Sequence, residues 1–154
     1  MSRLLFLAAL FVLSNPSIAA DTQTQAEGLM ALESPMSAKD TMDRVQANAE
    51  QRGLTVFARI DHAAGAATVG KELPPTELLI FGNARGGTPF MECARTVAID
   101  LPLKILVWED ADGQVWLGYN DPAFIAARHG VPDCPSVAML SKALAGLAEA
   151  SLAP

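Results

Sequence analysis

The 154-residue chain is 51% hydrophobic and 18% charged, with a formal net charge of −6. That length holds one domain with a real core. Acidic and without a basic cluster, the chain is unsuited to nucleic acid or to anionic lipid, both of which draw affinity from neutralised phosphate.

The first residues carry Arg3, an uncharged apolar run over 4–13 and Ser17-Ile-Ala-Ala20. A basic start, a short apolar stretch and small closing residues are the three parts of a secretory signal peptide, expected over 1–20 with cleavage after Ala19 or Ala20. The run is shorter than the ~20 residues needed to span a bilayer, which disfavours the alternative of an N-terminal anchor. The expectation is an exported protein, periplasmic in a Gram-negative host and otherwise secreted, with no membrane attachment after cleavage. Residues 21–27 read as a flexible tail and 28–152 as a single domain.

Residues 28–34 read as a strand with Met30 and Leu32 on one side. Ser37 and Asp40 form a capping-box-like start, and Ala38, Met42, Val45 and Ala49 recur at helical spacing until Gly53. Leu54, Val56, Ala58 and Ile60 then alternate with Thr55, Phe57 and Arg59 as a second strand. Asp61 is placed to cap a short helix through the small residues that follow. Uniformly apolar residues 78–81 predict a strand buried on both faces. A glycine-rich loop follows, with Thr88 capping a helix and Pro89 at its first position. Leu103, Ile105 and Val107 share one face of the next strand, and Val115, Leu117 and Tyr119 share one face of its partner. Asp110-Ala-Asp-Gly113 joins these two strands as a type I turn with a bulge, and both tryptophans, Trp108 and Trp116, belong to this ribbon. Asp121 and Pro122 open a helix closed by His129 and Gly130. A last helix carries Val137, Leu140, Leu144 and Leu147 on one stripe. The sum is one α+β domain with a mainly antiparallel sheet and helices on it.

Candidate chemistry is sparse. His62 and His129 are the only histidines, so a histidine-rich metal site is excluded, and no metal or other cofactor is expected. Asp110 and Asp112 lack the remaining ligands of a calcium loop, and a hairpin turn explains them. Residues 79–88 have the strand, glycines and helix start of an anion cradle, with Asn83 and Arg85 beside it. They lack the Gly-Lys-Ser/Thr ending of a P-loop, and a tight turn accounts for the glycines. Cys93 and Cys134, the only cysteines, form either a disulfide suited to an oxidising compartment or two separate buried thiols.

Gly53-Leu-Thr-Val-Phe-Ala-Arg-Ile-Asp-His62, Pro75-Thr-Glu-Leu-Leu-Ile-Phe-Gly-Asn83, Asp100-Leu-Pro-Leu-Lys104 and Tyr119-Asn-Asp-Pro122 together resemble the bacterial domain-of-unknown-function family numbered 302. The resemblance spans about residues 28–150. It implies one copy of a TATA-binding-protein-like α+β fold, with a curved sheet, helices and frequent pairing as dimers. That fold carries no implication of DNA binding. It also marks His62, Glu77, Asn83, Lys104, Tyr119 and Asp121 as recurring positions, without an established activity. The export signal and the cysteine pair depart from the typical pattern.

The leading expectation is an exported, non-enzymatic module that pairs with itself or binds a small ligand, with Asn83, Arg85, Lys104 and Asp121 as ligand-binding candidates. The enzymatic alternative is hydrolase- or isomerase-like, with His62 as base near Glu77 and Tyr119. A third is a structural envelope protein that binds another protein.

Overall fold

In the computed structural model, which describes residues 26–154, the period-two apolar patterns become one five-stranded antiparallel sheet. Its strands are β1 (Leu29–Ser34), β2 (Thr55–Asp61), β3 (Thr76–Gly82), β4 (Leu103–Glu109) and β5 (Val115–Asn120), in the order β1-β5-β4-β3-β2. Five helices join them: α1 (Ala38–Gln51), α2 (His62–Ala67), α3 (Ala84–Cys93), α4 (Pro122–Arg128) and α5 (Ser136–Leu152). The signal-peptide reading of 1–20 lies outside the described residues, as does most of the tail.

The tryptophan ribbon supplies the middle of the sheet. Trp108 pairs with Trp116 across β4 and β5, and the two indoles stack with centroids 6.3 Å apart. Gly113 closes the turn with φ +80°, a conformation that suits glycine because it has no Cβ to clash. Gly118 is required for a different reason. A Cβ there would meet the Trp108 ring at 2.8 Å, so the indole lies flat on the bare backbone of β5.

One face of the sheet is the core face. Leu79 and Phe81, Ile105 and Val107, and Leu117 and Tyr119 pack there against Met42, Val45 and Ala49 of α1 and Leu144, Leu147 and Ala148 of α5. A second cluster gathers Phe90, Val97, Ile125, Ala126, Cys134 and Leu140 beneath α3 and α4. The caps read from the sequence are present on α1, α2 and α4: Ser37 accepts from the Asp40 amide, Asp61 from Ala64 and Asp121 from Ala123.

Three local expectations change. β3 is not buried on both faces: Leu79 and Phe81 are buried, but Leu78 and Ile80 lie on the opposite face and stay half-buried, beside Leu106, Trp108 and Trp116. The reason is the antiparallel order, which needs no helical crossover to cover that side. In β2 the alternation slips, because Val56 faces Phe81 while Ala58 already faces Ile80. Phe57 is the extra residue of a β-bulge, which re-aims its ring. Finally, the glycine-rich stretch is helix, not loop. Asn83, not Thr88, is the cap, accepting from the Gly86 amide at 2.9 Å. Pro89 sits inside the helix, where its missing N–H forfeits a single backbone bond.

Candidate functional site

Where α3 faces α5, above the ends of β2, β3 and β4, the packing leaves a groove of ≈ 570 Å³. Its floor is Leu54, Phe57 and Phe81, and its far wall is Met139, Ala143 and Leu147 on α5. The stretch before β4 contributes Leu101 and Pro102, joined by a cis peptide bond. The near wall is the first half of α3, including the backbone of Gly86 and Gly87. The groove opens to solvent at Phe57, 58% exposed, and Met139, 53% exposed. Protein interiors seldom leave voids larger than a water molecule, and ligand sites commonly measure about 300–1,000 Å³.

Two of the residues singled out from the sequence, Asn83 and Arg85, line this groove, and the others do not. Glu77 is held on the core face of β3 by Arg59, whose Nε donates to it, while Arg59 Nη1 donates to Asp43 at 2.6 Å. Those two carboxylates hold Arg59 firmly charged: the hydrogen bond to Glu77 raises its pKa most, and that to Asp43 adds to it against the cost of burial. His62 is exposed at the head of α2. Tyr119 is buried on β5 with β4 between it and β3, its phenol pushed up by burial and by Asp121 and Glu149. The structure therefore does not assemble His62, Glu77 and Tyr119 into one cavity. Lys104 donates to the carbonyls of Asp100 and Pro102, both at 2.8 Å. Its ammonium is pulled down by burial and partly restored by Asp100. Asp121 caps α4.

A network unseen in the sequence ties the region behind α3. His129 bonds through Nε2 to Asp100 at 2.7 Å and through Nδ1 to the Thr96 hydroxyl at 2.9 Å, and Arg128 also reaches Asp100 at 2.9 Å. Carboxylate, imidazole and hydroxyl follow one another as in a nucleophile relay. Thr96, however, does not line the groove, so the network acts as a clip between the short 3-10 segment Arg95–Ile99 and the end of α4. Cys93 and Cys134 form a disulfide, with Cα atoms 6.0 Å apart, that clips the same two regions. The wall of the groove is thus fastened at its base. Among the described residues no His, Cys, Asp and Glu cluster is arranged to hold a metal.

An open antiparallel sheet with helices on its core face, and an apolar groove between two of them, defines an α+β domain. Residues 30–147 match the family described as "Domain of unknown function DUF302", and the chain belongs to that family. A solved structure of an uncharacterized conserved DUF302 protein from Bacillus stearothermophilus has the same fold, with a TM-score of 0.74 at 18% identity, covering 82% of this chain and 99% of that one. The chain is also 51% identical over 104 residues to "Fluoride-specific ion channel FluC 1" of Brucella suis biovar 1 (strain 1330), covering 68% of this chain and 41% of that protein. The same identity and length link it to "Fluoride-specific ion channel FluC 2" of Brucella melitensis biotype 1, where it covers 38%. The chain thus spans about two fifths of the curated relatives it matches.

Proposed function

We propose that this chain is an exported, non-enzymatic domain whose groove between α3 and α5 binds a small, largely apolar molecule. The observation that carries the reading is the ≈ 570 Å³ groove itself, walled by aliphatic, aromatic and methionine side chains. Export rests on the signal-like first 20 residues and fits a disulfide among the described ones. The test is amide chemical-shift mapping with 1-N-phenylnaphthylamine. Shifts concentrated at Gly86, Gly87, Ala98 and Ala143 are expected; shifts confined to the opposite sheet face overturn the reading.

A second reading has its own observation. Leu78, Ile80, Leu106, Trp108 and Trp116 form a half-exposed apolar sheet face, and Ile60 beside them is 38% exposed. A second copy laid across it would make the homodimer expected from the family resemblance. Light scattering after size exclusion decides: a dimer that Leu106→Lys converts to monomer supports it, and a wild-type monomer at high concentration overturns it.

The channel relatives favour a membrane transport protein as partner. Among the described residues no helix is long and apolar enough to cross a membrane; the role assigned to this chain is to accompany such a channel. Unchanged fluoride tolerance in a strain lacking this chain would count against that partnership.

A further inference from the structure

We infer that the ligand of this groove is a single-chain amphiphile with an anionic head, its tail between α3 and α5 and its head at Arg85; this rests on the groove being the binding site. The charge distribution carries the inference. The whole chain is acidic, with a formal net charge of −6, yet among the described residues the only charged one in the groove lining is Arg85. Among the described residues no carboxylate pairs with it: the salt bridges there use Lys39, Arg59, Arg128 and His129.

The polar groups also lie at one end. Asn83, Arg85 and Thr88 come from one turn and a half of chain, while α5 and the sheet floor present only apolar side chains. Asn83 spends its side-chain oxygen on the Gly86 amide, which leaves its NH₂ as a donor. A guanidinium adds a planar fork of donors that matches a carboxylate or phosphate. The polar end therefore offers donors, with positive charge, to a molecule whose remainder is apolar. A neutral hydrocarbon would leave Arg85 unused, and a cationic head would be repelled by it.

The test is displacement of bound 1-N-phenylnaphthylamine from the full domain by dodecanoate, dodecyl phosphate, dodecanol and dodecylamine, each below its micellar concentration. The inference predicts that at least one of the two anions displaces the probe about tenfold more effectively than the alcohol or amine. It also predicts that Arg85→Glu removes this preference without moving the melting temperature, since Arg85 is exposed. If all four compounds compete equally in wild type, or Arg85→Glu leaves the preference intact, the head-group assignment is overturned and the apolar groove stands. If the probe fails to bind, or no dodecyl compound displaces it, the groove reading falls and takes this inference with it.

Discussion

Asp110 shows how one side chain can hold a hairpin together. Its carboxylate accepts from the Trp116 indole at 2.7 Å and from the Asp112 and Gln114 amides at 3.0 and 2.9 Å. The indole contact above all holds its pKa below the usual carboxylate range. A depressed carboxylate contributes stability that is present above its unfolded value, about 3.9, and lost as pH falls through the lower folded value. Wild type should therefore exceed Asp110→Asn in urea resistance at pH 7, with the gap closing below about pH 4; a gap that ignores pH would contradict this account. Glu77 and His62 differ just as clearly. Glu77→Gln weakens the partner of the half-buried Arg59 and should cost about 1–3 kcal/mol, whereas exposed His62→Ala should stay within about 0.5 kcal/mol. Equal urea midpoints for the two variants would show that Arg59 does not need its partner. That pairing is not legible in the sequence, because Arg59 and Glu77 are 18 positions apart and only strand register brings them together.

At the scale of elements, regions whose local chemistry stood alone were readable. Ser37, Asp61 and Asp121 each announce a helix start by their own side chains, and Gly113 announces its turn. The start of α3 is not legible because Thr88-Pro89 is itself a credible cap, and nothing local tells it from Asn83. The bulge at Phe57 was hidden for the same reason, since a slip in register leaves no mark on the slipping strand. Two variants probe these elements. Gly118→Val should displace the Trp108 ring, cost about 1–3 kcal/mol and shift tryptophan emission; an unmoved spectrum would mean the indole does not rest on that backbone. Removing the disulfide, which links cysteines at a sequence separation of 41, should cost up to about 4 kcal/mol by freeing the unfolded chain. A urea midpoint unchanged by dithiothreitol would refute that contribution.

For the molecule as a whole, the apolar core and the α+β class followed from periodicity, but the groove did not. It is assembled from Phe57, Met91, Leu101 and Met139, which come from four separate parts of the chain. One signal was available: α5 carries Met139 and Ala143 off its core stripe, more apolar surface than a single buried face needs. In the sequence Arg85 reads as an anion contact beside a glycine loop, whereas in the fold it lines an apolar groove. The measurement that bears most directly on the account is the affinity of wild type and Ala143→Trp for 1-N-phenylnaphthylamine, read by probe fluorescence. Ala143 is exposed and lines the groove, so the indole should fill it without disturbing the core. The account predicts saturable one-to-one binding to wild type and a loss of at least tenfold in Ala143→Trp; equal binding to both, or none to wild type, would contradict it.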